Sequence, residues 1–433
     1  MTRAPGPLIA VLVIAAVAFV YRAAPGAYFF EDDFHWLVGT WTYDPATILR
    51  PGSHTHFYRP VIELYFWLAT PLFGGSVTIF HVANIVLHAV NGLLLFAVAR
   101  EISGSTRFAM TTALLFVVLP GYVQAVAWVS ALAEPVGAFF GCLTLLGFLR
   151  FRRERRISWL GLSLAAFALA LLTHESSVVI LVLVALVEWA SGEARKGEAA
   201  SESWMQYWLG TARACLPYAL LVAAYLAIDL PINRRSYIIG EGHYRIGFHA
   251  VRNVLGYIVS LYVGKRSWLT YGVVSLVLGW LLIRGNRRTR FAIVWMLVSL
   301  MPFAFFTWGN TSRYLYLPGM GFALLVAEGV EWLDARLGRV LSDRRRAAAI
   351  GLLVAILTIR FAVFASKGVS GFRDMTDDYR QFLTTFRQAH PTLPTGSHVP
   401  IDPKDAAALT LRNLQALVQW EYRDPTITLV ESR

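Results

Sequence analysis

The chain has 433 residues, of which 56% are hydrophobic and only 15% charged, and its net charge is +12. Apolar residues fall in blocks of roughly 14 to 22 separated by short basic stretches, which excludes an ordinary soluble domain and points to helices that cross a bilayer. Because lysine and arginine gather in the connections between blocks, the positive charge reads as a topological signal, and nucleic acid is not an expected partner.

The blocks begin near Leu8, Val77, Phe108, Ala131, Trp159, Ser177, Ala214, Trp268, Phe291, Leu315 and Ala347. The predicted architecture is therefore an all-α polytopic membrane protein with about 11 transmembrane helices, since a lipid-facing span must satisfy its backbone internally. The first block follows Arg3 and ends in small residues from Ala23 to Ala27. It could pass for a cleavable signal, and with ten blocks following we read it as an uncleaved anchor. If each block crosses once, the basic stretches 150–156, 284–290 and 336–346 fall on one side, placing the N-terminus in the cytoplasm and the C-terminus outside. The expected location is the cell inner (plasma) membrane.

Two loops on the external side are long enough to carry function, residues 21–76 and about 231–267. The first contains the strongest local signal, the consecutive carboxylates Glu31, Asp32 and Asp33, followed by Phe34, His35 and Trp36. Adjacent acids repel, so such a cluster near a membrane needs a cation, a basic partner or a proton-transfer task; the bland alternative is a solvated helix N-terminus. Some 20 residues on come His54, His56, Phe57, Tyr58, Arg59 and Pro60. An arginine at headgroup depth can grip a lipid phosphate with two donors, though aromatic and basic residues also serve simply as interfacial anchors. His54 and His56 could join Asp32 and Asp33 around a divalent ion such as Mg or Mn, but the spacing is not diagnostic and no cofactor is firmly implied. The stretch 61–73 and, in the second loop, 245–264 read as interfacial helices.

Along the remaining chain, His81, Asn84, His88 and Asn91 share one face of the second block, where hydrogen bonding between helices is a sufficient reading. Cys142 and Cys215 have no metal-ligand spacing and read as packing residues. Thr173, His174 and Glu175 sit between two apolar runs, and residues 310–316 precede the tenth; ionisable groups so close to a bilayer are functional candidates or helix-terminating turns. From Ser366 onward the composition is that of a soluble protein, which divides the chain into a membrane domain, 1–365, and a small external α/β cap, 366–433. No matched broken helices appear in two halves, against an inverted-repeat transporter.

Asp32 to Trp36, Tyr58-Arg59-Pro60 and the string Ser312-Arg313-Tyr314-Leu315-Tyr316-Leu317-Pro318 together resemble the GT-C superfamily of membrane glycosyltransferases. The acid pair is similar to an element of the protein O-mannosyltransferases. Residues 120–137 (with Ala127-Trp128-Val129-Ser130), 173–177 and 313–318 resemble the transmembrane O-mannosyltransferases that carry tetratricopeptide repeats, which are absent here. Arg59-Pro60-Val61 is similar to the Lys-Pro-Pro of lipid A aminoarabinose transferases. The resemblance implies an inverting hexosyltransferase that moves a sugar, mannose among the candidates, from a polyprenyl-phosphate donor to a protein, lipid or glycan acceptor on the external face. It implies Asp32, with Asp33, as general base; Arg59, Arg313, Arg234, Arg235 and His174 as donor-phosphate ligands; and His35, His54, His56, Tyr58, Glu175 and Tyr314 as site lining. Histidine stands at 174 where those relatives have lysine, and it pairs with phosphate only when protonated. The competing class is a transporter or flippase for a lipid-linked or anionic substrate, which would place polar residues nearer the midplane.

Overall fold

The computed structural model describes residues 6–41, 43–51, 57–191, 204–262, 266–309 and 311–432. His54, His56 and Asn310 lie outside the described residues. The chain begins with α1 (Gly6–Tyr21), α2 (Asp32–Gly39), α3 (Pro45–Ile48), α4 (Pro60–Leu72), α5 (Val77–Ser103), α6 (Thr106–Val117) and α7 (Val123–Ala127). It continues through α8 (Ala133–Glu154), α9 (Ile157–Leu171), α10 (Ile180–Ser191), α11 (Trp204–Asn233), α12 (Tyr237–Gly240) and α13 (His249–Tyr262). Then come α14 (Trp268–Arg284), α15 (Arg287–Ala304), α16 (Tyr316–Leu337), α17 (Asp343–Ala389), β1 (His398–Ile401), α18 (Pro403–Leu409), α19 (Leu411–Tyr422) and β2 (Thr428–Glu431).

All eleven apolar blocks are helical, and the protein is a polytopic all-α membrane protein. Among the described residues, five helices are long and apolar enough to cross a membrane: Gly6–Gly26, Val77–Ser103, Val129–Glu154, Trp208–Asn233 and Asp343–Ala389. A sixth is added if Thr106–Val117 and Pro120–Ala127, which meet at 45°, act as one broken span. The break falls at Pro120, whose ring cannot continue the preceding helix. The remaining blocks give shorter or less apolar helices, among them Ile157–Leu171 and Trp268–Arg284.

The polar seam on α5 holds this bend in place. His88 bonds Tyr316 Oη (2.8 Å) and the Val117 carbonyl (3.1 Å), Asn91 donates to the Pro135 carbonyl and Tyr316 Oη (both 2.9 Å), and Asn84 donates to the carbonyls of Val126 and Trp128 (3.4 and 3.3 Å). Each such bond between helices stabilises by about 0.6 kcal/mol, but here the acceptors include carbonyls freed where helices break, so losing a donor also strands a buried acceptor. At Gly321 a side chain is excluded, because a Cβ would lie 2.9 Å from the Ala292 carbonyl and 3.0 Å from the Met296 nitrogen. That close approach of α16 to α15 sets the position of the segment before α16.

Both long loops contain the expected helices: α4 in the first, α13 in the second. The second loop is tied down by an isolated bridge between Tyr244 and Phe306 and by Asn253, which donates to the carbonyls of Ala304 and Phe306. Residues 365 and 366, where the composition changes, are neighbours inside the 47-residue α17. The C-terminal part is thus joined without a linker: β1 and β2 pair in parallel, and α19 lies against α2.

Candidate active site

The three acids follow a strained turn. Glu31 has φ 44°, ψ −111°, an uncommon conformation for a residue with a side chain, and it delivers Asp32 and Asp33 as the first residues of α2. The two neighbours then part company. Asp33 is fully buried: its Oδ2 accepts from the Phe30 N–H (2.8 Å), and its Oδ1 accepts from the Ser130 N–H (2.7 Å) and the Ser130 hydroxyl. Burial pushes its carboxyl up to about 7, against the pull of those bonds. Asp32 is exposed, and no described side chain takes its carboxylate. Asp32 is therefore the acid left open, while Asp33 staples α2 to the segment Val129–Leu132.

Arg313 is the cation opposite. It lies in the turn Ser312–Leu315, its guanidinium 4.7 Å from the Trp128 ring centre and 5.1 Å from that of Tyr314, and it donates to Tyr314 Oη (3.2 Å). Trp128 is itself fixed by its indole N–H on the Phe30 carbonyl (3.0 Å), just before the acids. Asp32 and Glu134 both act electrostatically on Arg313, yet it has no ion-pair partner among the described residues. Cation–π contact holds a guanidinium in place without neutralising it. Tyr314 stacks on Phe303 (4.0 Å between centres, 8°), which makes the Arg313 turn rigid.

Arg59 is differently placed from the sequence-based expectation. Its Nε and Nη2 donate to the two carboxylate oxygens of Glu175 (2.9 and 2.6 Å), a two-pronged ion pair that takes up the fork expected to face a phosphate. Glu175 is held at about 2: burial opposes the charged form, but Arg59 foremost outweighs it. Beside the pair, His174 is buried, and its Nδ1 accepts from the Ser176 N–H (3.1 Å). The imidazole is pushed down to about 3 by burial and by Arg59, so at neutral pH it carries no charge with which to bind a phosphate. Its Nε2 faces Glu134 Oε1 at 3.7 Å, and that buried oxygen has no hydrogen-bond partner.

The other candidates divide in the same way. Arg234 and Arg235 are exposed at the end of α11, with no ion pair among the described residues, and two to three residues later Tyr237 feels the charges of Asp32, Arg59 and Arg313 together. They lie at the rim. His35 turns away, bonding Asn413 of α19 through Nε2 (3.0 Å), and Tyr58 is buried with its hydroxyl on the Leu49 carbonyl (3.1 Å), so neither is free to line the site as expected. With both Asp33 oxygens engaged, the described residues do not assemble a ligand set for a divalent ion, and among them no group of three or more His, Cys, Asp or Glu could hold one. Sequence reasoning missed Ser130, Trp128 and Glu134 as parts of this site. Glu134 carried a signal, a carboxylate at the head of an apolar block.

Comparison with known proteins bears on the fold and on the kind of family. A family model described as dolichyl-phosphate-mannose-protein mannosyltransferase matches residues 53–228, a stretch that includes Arg59, Glu134, His174 and Glu175 but not the acids at 32 and 33. Over all but 1% of the chain, the structure resembles ArnT from Cupriavidus metallidurans bound to undecaprenyl phosphate, with TM-score 0.58, 13% identity and 87% of that chain covered. The fold is GT-C. The GT-C likeness extends to the Archaeoglobus fulgidus oligosaccharyltransferase tethered to an acceptor peptide, with TM-score 0.55, 14% identity, 99% of this chain and 64% of that one covered. In sequence, the protein O-mannosyl-transferase TMTC4 of Homo sapiens is 29% identical over 218 residues, 42% of this chain and 29% of its own length. Tmtc2 of Drosophila melanogaster is 31% identical over 234 residues, 51% of this chain and 24% of its own. The chain thus matches under a third of the length of these relatives.

Proposed function

We propose that the chain is an inverting glycosyltransferase that moves a sugar, mannose by the likeness of its relatives, from a polyprenyl-phosphate carrier to an acceptor hydroxyl on the external face of the inner (plasma) membrane. The observation that carries the reading is an exposed Asp32 that acts electrostatically on the Arg313 guanidinium, which is held by aromatic rings and has no ion pair among the described residues. In this reaction Asp32 takes the acceptor hydroxyl proton as its oxygen attacks the anomeric carbon. The bond from that carbon to the phosphate oxygen breaks, and the electron pair leaves with the lipid phosphate. No glycosyl-enzyme forms, so configuration inverts. Arg313 neutralises the charge that grows on the departing phosphate, and Arg234 and Arg235 guide it at the rim. Arg59 is already bound by Glu175, and His174, uncharged, contributes no electrostatic grip. The lipid carries its own leaving group, so no nucleotide site is needed.

The test supplies purified protein in lipid with polyprenyl-phosphate [14C]mannose and a serine- and threonine-containing peptide, then follows label into the peptide and its anomeric configuration. Inverted product made by the natural protein and not by D32N supports the reading. Label released with retained configuration would overturn direct displacement.

A further inference from the structure

The part of the molecule that the transfer chemistry leaves unused is a cavity of about 610 Å³ between the C-terminal half of α17, the end of β1 and α18. Its size is that of a ligand cleft. Phe382, Phe386 and Leu409 form an apolar wall, and Asp378, Asp402 and Asp405 stand along its lip, all three exposed. Asp402 has a structural task, since its carboxylate accepts from the Lys404 N–H to start α18 (2.8 Å). The carboxylates of Asp378 and Asp405 have no hydrogen-bond or ion-pair partner among the described residues, although Arg380 and Arg387 are close by in sequence: Arg380 pairs with Asp377, and Arg387 with Glu421. The fold has neutralised the neighbouring acids and left these two.

The cavity wall is also linked to the segment that carries Asp32. Tyr379 of α17 stacks edge-on with Phe30 (5.6 Å between centres) and donates its hydroxyl to the carbonyl of Leu409, one of the wall residues (3.3 Å). The same hydroxyl feels the charges of Glu31, Asp32 and Asp33. One tyrosine therefore connects the cavity wall to the segment that carries the carboxylates.

We propose that this cleft docks the acceptor, and that the acceptor is a polypeptide segment carrying lysine or arginine beside the hydroxyl residue to be modified. Apolar and aromatic walls take the aliphatic stem of such a side chain while carboxylates at the lip take its charge. The proposal rests on the glycosyl-transfer reading and adds the acceptor class to it.

The experiment uses the full chain in lipid nanodiscs and two fluorescent peptides, one with arginines flanking serine and one with glutamines in their place. Binding is read by anisotropy and transfer by labelled donor. The arginine peptide should bind more tightly, and the double variant D378N/D405N should weaken it roughly five- to tenfold, the loss of two partly exposed ion pairs. In turnover the same variant should raise KM by that factor and keep kcat, and its unfolding temperature should not move. Equal binding of the two peptides, or binding indifferent to D378N/D405N, overturns the cleft as the docking site. The two readings fail separately: tight arginine-peptide binding without transfer in the natural protein would leave the cleft and sink the transferase, whereas transfer insensitive to the peptide's charge would do the reverse.

Discussion

The two ends of the helix bundle treat their less exposed charges differently. At one end the carboxylates are answered by arginines: Arg152 donates to Glu188 (2.6 Å), Arg153 and Arg150 meet Glu101, Arg288 meets Glu328 (2.7 Å), and Arg107 and Arg346 converge on Asp334 (both 3.3 Å), while exposed arginines such as Arg155 and Arg156 have no ion pair among the described residues. At the other end, among the described residues, Asp32 is open and Arg313 is held by rings and a tyrosine hydroxyl without an ion pair. Beside them Arg59 and Glu175 form a matched pair. Paired charges hold helix ends together and have little left for a ligand; unpaired ones cost stability in the empty protein and are recovered when a charged substrate arrives.

The sharpest way to break this comparison is Asp32→Asn, which keeps volume and removes the base. Transfer should fall on the order of a hundredfold or more with the unfolding temperature unchanged, and near-normal turnover would move the chemistry elsewhere. Next is Arg313→Ala, expected to raise the donor KM and lower kcat together by about ten- to a hundredfold. Arg313→Lys should restore only part, since an ammonium stacks less well on Trp128 than a planar guanidinium. If Arg59→Ala proves the more damaging of the two, the roles assigned to the paired and unpaired arginines are reversed.

At the charge-matched end, Glu188→Gln should leave kcat and KM alone and destabilise by about 1 to 3 kcal/mol, read as thermal unfolding in detergent, because it strands a largely buried Arg152. A kinetic effect there would mean that the two ends are coupled.

The smallest effect concerns Asp33. Its carboxyl is raised in the folded protein to about 7, so between the ordinary carboxylate range and about 7 the native state holds a proton that the unfolded chain has lost. Stability from this group is fully present at low pH and falls as pH rises through 7. Unfolding temperature should therefore decline between about pH 4 and 7 and level off above, and Asp33→Asn should flatten that slope.

Much of this was legible from residue order. Block lengths announced a helical membrane protein because a bilayer leaves the backbone no other partner for its N–H and C=O groups, and Glu31 to Asp33 announced a site because three adjacent carboxylates there are costly. The polar face of α5 was readable for the same reason: His88 and Asn91 on one stripe must bond across helices. What residue order could not assign was partnership. Asp32 and Asp33 are chemically equal neighbours, and only the fold sends one to Ser130 and the other to solvent. Arg59 and Arg313 are equally good phosphate ligands by type, and only the meeting of residues 116 positions apart hands Arg59 to Glu175. Local sequence sets which charges exist near the membrane; long-range packing decides which of them are already spoken for, because the answer depends on groups that the chain brings together only once it is folded.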